Sequence, residues 1–202
     1  MTMKPTILFV ARQAGTQWHD KGQVIGRQDA ELSMTGLSRA EKLAKLLSDR
    51  KIDVVYASRL GRAVDTAKAI AKYHKQRVIP EPQLDERGLG VLEGKKRKEI
   101  AKELKRLRAQ DEEISEGESG WEFNKRVISF LENCLRTNEG KTVLIVTHEG
   151  PIEVIKNYFK RLDTSKGDDE EASLAGLSEF VVNDLEPLKV EIKALDNVDH
   201  LS

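Results

Sequence analysis

One cysteine in 202 residues leaves no partner for an internal disulfide, which points to a reducing compartment. Cys134 follows Phe130 and Leu131 at helical spacing, so it reads as a small buried hydrophobe rather than a reactive thiol. Aromatic residues make up only 5% of the chain, so the core has to be built from aliphatic side chains. Neither sign of charge is in excess, because Lys plus Arg and Asp plus Glu number 34 each. That balance excludes a global electrostatic attraction to nucleic acid or membrane, and any such attraction must be local. The apolar run nearest the N-terminus, Thr6 to Ala11, is too short for a signal-peptide core or a membrane span. A cytoplasmic protein folding as one domain over 1–202 is the expectation.

What is present alternates between two periodicities. Ile7 to Val10 is a continuous apolar run, the pattern of a strand buried on both faces. Thr35 and Gly36 then open a helix whose inward face is read as Leu37, Ala40, Leu43, Ala44 and Leu47. A second strand follows over residues 53–57, then a helix from about Arg62 to Tyr73, and a short third strand at Val78 and Ile79. Val127, Ile128, Leu131 and Leu135 define a helix that stops near Gly140. Thr142 to Val146 is the clearest buried strand, and Ile152 to Phe159 the helix after it. This order predicts a three-layer α/β/α sandwich on a mostly parallel sheet. At the end, residues 178–183 and 189–194 alternate apolar and polar side chains around Pro187, which predicts a hairpin of two antiparallel edge strands. The polar segment 166–171 reads as a solvated loop.

In open parallel sheets ligands sit beyond the carboxyl ends of the strands. Arg12 and Gln13 follow the first strand, Ser58 to Arg62 the second, and Thr147, His148 and Glu149 the strongest one. Glu86 lies on a loop between them. Guanidinium forks match phosphate oxygens, and a helix N-terminus near Arg62 adds partial positive charge. A pocket for a phosphate monoester is the chemistry these residues share. No metal cluster and no cofactor motif stand out.

The motifs resemble those of the histidine phosphatase superfamily, the phosphoglycerate-mutase-like group. Arg12-Gln-Ala-Gly-Thr16 with Trp18-His19 stands where that family has Arg-His-Gly-Glu-Thr and Trp-Asn. Gly26-Arg-Gln-Asp29 and Leu32-Ser-Met-Thr-Gly36 follow in order. Ser58-Arg-Leu-Gly-Arg62-Ala-Val-Asp-Thr66-Ala67, Leu84-Asp-Glu86, Gly90 to Gly94, Gly117-Glu-Ser119 and Thr147-His148 complete the set. Even the closing Asn-x-x-His-Leu recurs at Asn197 to Leu201. The resemblance implies the phosphoglycerate-mutase-like fold, with Arg12, Arg62 and His148 as the phosphate clamp and Glu86 as the acid. It places Gln13 at the position of the nucleophilic histidine.

A carboxamide nitrogen gives its lone pair to its own carbonyl, so Gln13 can donate a hydrogen bond to phosphate but cannot attack phosphorus. Ala14 and Gly15 depart from the family's Gly-Glu, and Glu149 adds a carboxylate that repels a phosphate dianion unless it points away or pairs with an arginine. His19, on a loop beyond the strand end, is not expected to replace the nucleophile. The resemblance therefore implies a pseudophosphatase binding a phosphorylated small molecule or a protein partner, with a weak phosphomonoesterase as the alternative.

A charged helical insert is expected at about 94–120. Lys95 to Lys98, Lys102, Lys105, Arg106 and Arg108 share it with Ile100, Leu104 and Leu107 at helical spacing, a basic amphipathic helix over 95–108. A solvated lid and a docking surface for an anionic partner, which would make the chain a scaffold, both remain open. With no aromatic residue between the charges, stacking on nucleic-acid bases is not expected.

Overall fold

The computed structural model describes residues 4–109, 114–160 and 171–202, with side chains outside 108 and 109. The polar segment 166–171 lies outside these residues except for Glu171, as does the Arg108 side chain. In chain order the elements are β1 (Thr6–Arg12), α1 (Gln17–Asp20), α2 (Met34–Leu47), β2 (Val54–Ala57), α3 (Gly61–His74) and β3 (Val78–Pro80). They continue with α4 (Ala101–Ala109), α5 (Gly120–Thr137), β4 (Thr142–Thr147), α6 (Glu149–Lys160), β5 (Leu177–Leu185) and β6 (Leu188–Asn197). The six strands form one sheet in the order β3-β2-β4-β1-β5-β6. β1 to β4 run parallel, and β5 and β6 antiparallel.

Continuous apolar strands need cover on both faces, and β1 shows how it is supplied. Phe9 and Ala11 face a core completed by Ala40, Leu43 and Leu47 of α2 and by Ala63, Ala67 and Ile70 of α3. Leu8 and Val10 face the other core, with Val127, Leu131 and Cys134 of α5 and Ile152 and Ile155 of α6. The result is the three-layer α/β/α arrangement expected. Burial pushes the Cys134 thiol up to about 12, so it packs as a hydrophobe. Ser33 caps α2 by accepting the Gly36 N–H at 3.1 Å, and a Ser119–Glu122 capping box starts α5. No helix among the described residues is long and apolar enough to cross a membrane.

Three sequence expectations are corrected. Leu37 does not face inward and is 51% exposed. The inward position belongs to Gly36, where a Cβ would fall 1.9 Å from the Gly15 carbonyl oxygen, so the loop after β1 can cross α2 only over a glycine. Second, only β6 is an edge strand of the C-terminal pair, because β1 pairs with β5 from Thr6↔Val182 to Ala11↔Leu177. Third, the basic helix begins at Ala101 rather than at residue 95. Residues 94–96 are engaged with the segment 22–24: Val24 N–H donates to the Lys95 carbonyl at 2.9 Å, and Gly94 N–H to the Val24 carbonyl at 2.8 Å. Extended pairing there forbids helical dihedrals. α4 itself rests on a small separate core in which Ile100 and Leu107 meet Val24, Leu92 and Ile114.

Candidate functional site

The carboxyl ends of β1, β2 and β4 are tied to one another before any side chain reaches a ligand. Gln13 N–H donates to the Thr147 carbonyl at 2.8 Å, and Ser58 N–H to the Val146 carbonyl at 3.0 Å. Ala14 N–H donates to Thr66 Oγ1 at 3.1 Å, which anchors the loop after β1 to α3. Gln13 is buried at the floor of a cavity of about 630 Å³ that Arg12, Arg62 and Glu86 also line.

Arg62, in the first turn of α3, donates to the Gly26 and Gln28 carbonyls, both at 2.7 Å. Glu93 holds that turn in place by accepting the Arg27 N–H at 2.9 Å and the Gln28 N–H at 3.1 Å. Asp29 closes the arrangement, accepting the Gly61 N–H at 2.7 Å at the start of α3. The guanidinium is thus aimed by the turn at residues 26–28, whose own geometry depends on the distant Glu93 carboxylate.

His148 lies behind the cavity wall, fully buried. Its Nε2 is 2.8 Å from Ser58 Oγ, and Ser58 Oγ is 2.9 Å from Asp85 Oδ1. A hydroxyl has one proton, and two oxygens at that distance need it between them, so Ser58 donates to Asp85. Ser58 Oγ then accepts from His148, which fixes the ring proton on Nε2 and leaves Nδ1 as a bare lone pair. Burial, then the charges of Arg62 and Arg12, hold the imidazole well below its usual range. Among the described residues, His148 Nδ1, Arg12 Nε, Arg62 Nε and Gln13 Oε1 are buried without a hydrogen-bond partner.

Glu86 accepts the Arg87 N–H at 2.9 Å and the Gly150 N–H at 3.4 Å. Desolvation pushes its carboxyl up, and Glu149 adds to this against the opposing pull of the Arg87 hydrogen bond, Arg62 and Arg12. The close approach demands glycine at 150, where a Cβ would meet Glu86 Oε1 at 2.4 Å and Phe123 at 2.9 Å. A carboxyl that holds its proton to higher pH than an ordinary glutamate is better suited to act as an acid.

Glu149 neither points away nor stands alone. Its Oε2 accepts from Arg12 Nη2 at 2.9 Å and lies 3.6 Å from Arg97 Nη2. The other Arg12 nitrogen, Nη1, donates to the Ala172 carbonyl. Arg97 continues to Glu171 at 2.9 Å, so the segment preceding α4 is linked to the cavity floor. His19 also lines the cavity. It sits in the one-turn helix α1 rather than on a loop, and its Nδ1 accepts the Thr16 N–H at 3.1 Å. That acceptor role places the neutral ring's proton on Nε2, so the free face is a donor and not a nucleophile. Desolvation, with Arg12 and Arg62 nearby, lowers the ring to about 4.

The structure therefore brings Arg12, Gln13, Arg62 and Glu86 onto one wall and sets His148 behind it. Sequence reasoning missed the support. Arg126 grips Glu118 through Nε at 2.6 Å and Nη2 at 2.9 Å, and donates to the Gln83 and Glu86 carbonyls. Although burial alone would raise it, Arg126 and Arg27 hold the Glu118 carboxyl below its usual value. Gly117-Glu-Ser119 carried a family signal for Glu118; nothing local in the sequence marked Arg126 as its partner. Among the described residues no group of three or more His, Cys, Asp or Glu is arranged to hold a metal ion.

Comparison with known proteins places this geometry. The profile of the histidine phosphatase superfamily (branch 1) matches residues 8–194. A probable phosphoglycerate mutase GpmB of Yersinia enterocolitica is 31% identical over 147 residues, covering 70% of this chain and 68% of the relative. Its counterpart in Serratia proteamaculans is 33% identical over the same length and coverage. Among solved structures, Bacillus stearothermophilus YhfR superposes with a TM-score of 0.87 at 22% identity, over 98% of this chain and 100% of that one. A mycobacterial glucosyl-3-phosphoglycerate phosphatase in complex with VO3 gives 0.85 at 20% identity, over 95% and 99%.

Proposed function

The chain belongs to the histidine phosphatase superfamily, and from that premise we propose that it is a pseudophosphatase, which binds a phosphorylated ligand and does not turn it over efficiently. The observation that carries this reading is Gln13. It occupies the end of β1 beside Arg12, at the cavity floor, where the family's mechanism needs an imidazole. With a carboxamide there, no phosphoenzyme forms. Loss of a nucleophile in other enzymes costs up to about a millionfold, and binding plus electrostatics retain about a thousandfold over water.

Arg12, Arg62 and Gln13 supply donors for phosphoryl oxygens, and His148 joins them once protonated on Nδ1. Glu86, raised toward a neutral acid by desolvation, stands ready to protonate a leaving oxygen. That retained acid also supports the second reading, slow hydrolysis by a bound water. A cytoplasmic, reducing setting accords with the lone buried Cys134.

Hydrolysis of p-nitrophenyl phosphate by the native chain beside Gln13→His tests the reading. Turnover only in the histidine variant supports a pocket disarmed at one residue. Native turnover that disappears in Arg62→Ala rules out the pseudophosphatase in favour of the second reading.

A further inference from the structure

We infer that the lysine face of the insert is a docking surface for an acidic segment of another polypeptide, one whose carboxylates are interrupted by cations. The surface lies on the outer side of α4 and of the turn before it, where Lys95, Lys96, Lys98, Lys102 and Lys105 are all exposed. It goes beyond the phosphate reading of the cavity floor and does not depend on it.

The first ground is that these charges are unanswered. Elsewhere on the surface Lys51, Lys68, Lys72, Lys189 and Lys193 each meet a carboxylate. Lys95, Lys98, Lys102 and Lys105 meet none among the described residues, although the chain carries as many acidic as basic side chains. Cations gathered in this way raise the local potential and draw an anionic partner. The second ground is rigidity. Lys95 and Lys96 belong to the segment paired with residues 22–24, where the Arg97 N–H also donates to the Gly22 carbonyl at 3.0 Å. Lys96 Nζ donates to the Lys21 carbonyl at 2.6 Å, and Ile100, Leu104 and Leu107 seat α4 on its own small core. A partner therefore meets a backbone already fixed, and docking orders only the lysine side chains.

The third ground is pattern, and it selects the class of partner. Glu99 follows Lys98, and Glu103 follows Lys102, both of them exposed among the lysines. A nucleic-acid backbone, with a charge about every 1.7 Å, or an anionic lipid surface sets negative charge against those glutamates as well as against the lysines. A polypeptide can set a carboxylate against each lysine and a cation against each glutamate. Lysine ammoniums are compact hydrated charges, without the guanidinium fork that grips phosphate at two points. The Arg97 guanidinium is turned instead to Glu149 and Glu171. The apolar side of α4 is taken up by its core, which leaves nothing to insert into a bilayer. Contact made by charge alone is transient and sensitive to salt.

Fluorescence anisotropy of the full chain with labelled peptides tests the inference. The probes are a peptide of repeated Glu-Glu-Lys-Glu and one of glutamate alone, equal in length, with poly-uridine RNA and phosphatidylglycerol vesicles beside them. The repeat peptide should bind no more weakly than the glutamate peptide in spite of its lower net charge. Its affinity should fall about tenfold or more as salt rises from about 50 to about 200 mM. Lys98→Glu, Lys102→Glu and Lys105→Glu together should weaken it by about tenfold or more. The milder change of the same three residues to Gln should weaken it in the same direction and reports where charge reversal unsettles α4. Lys45→Glu with Lys75→Glu, on α2 and at the end of α3, should leave it unchanged. Failure of both peptides to bind, native affinity in the Gln variant, or an equal loss in the remote variant overturns the docking surface. Tighter binding of the glutamate peptide, the RNA or the vesicles than of the repeat peptide overturns the class of partner. None of these readouts involves the phosphate floor, so the two readings fail separately.

Discussion

Arg12 and Glu149 are joined across the end of the sheet by a 2.9 Å ion pair in which both side chains are almost wholly buried. The pocket therefore carries its own anion on Arg12. Two negative charges about 4 Å apart repel by about 4 kcal/mol at an effective dielectric of 20. A phosphate dianion can use Arg12 fully only if Glu149 turns away from it. Arg97, 3.6 Å from the same carboxylate oxygen, is the cation placed to receive it.

Glu149→Gln should raise the affinity for inorganic phosphate at least tenfold, read by calorimetry. Arg97→Ala should lower it, because it removes the cation placed to draw the carboxylate away from Arg12. An affinity unmoved by Glu149→Gln means that the two anions do not compete.

Ser58→Ala removes the acceptor that fixes the His148 proton on Nε2. Unfolding free energy should fall by about 1–3 kcal/mol, the cost of leaving a buried donor unmatched. Nitrogen NMR of the native ring should show the Nε2–H tautomer, and the variant should show a mixture. A single unchanged tautomer in the variant would mean that the ring is held by something other than Ser58.

His19 titrates at about 4 in the folded chain against about 6.5 when unfolded. Between those values the unfolded state binds more protons, so stability is complete above pH 6.5 and falls as pH drops toward 4. The share from His19 is on the order of 2 kcal/mol after allowance for a ring that lines an open cavity. His148 shifts in the same direction. Urea midpoints from pH 7 to 4 should flatten in His19→Asn, and an identical profile would assign the loss elsewhere.

Arg126→Leu should destabilise by about 1–3 kcal/mol, since it removes the two-point partner of the Glu118 carboxylate while Arg27 stays paired with it at 3.0 Å. The double change Arg126→Leu with Glu118→Leu should cost less than the two single changes added together. Strict additivity in chemical denaturation would show that the pair does not act as a unit.

The parallel strands were legible because β1 and β4 are uninterrupted apolar runs, and Arg12 because it ends one of them. The start of α4 was not legible. Ile100, Leu104 and Leu107 give helical spacing, but what stops the helix at Ala101 is backbone pairing with residues more than seventy positions earlier, at Val24. Leu37 fits the apolar face of α2 by periodicity, yet it is the neighbouring Gly36 that faces the loop at Gly15, and Leu37 is left exposed. The C-terminal alternation predicts two edge strands, but alternation carries no sign of which neighbour a strand takes, and β1 pairs with β5. At the site, the sequence flagged Glu149 as a charge needing a cation. Which arginines answer it depends on how residues 12 and 97 converge in the fold.

The strand order has a consequence for synthesis on the ribosome. β1 lies between β4 and β5, so the first strand made has neither neighbour until residues 142–185 have emerged. Long-range pairing of this kind is slow to form and leaves strand edges exposed meanwhile. Gln13 and His148 come from these two distant stretches. A nascent chain short of β4 should therefore hold an unpaired apolar strand and no assembled cavity, and the pocket should appear late.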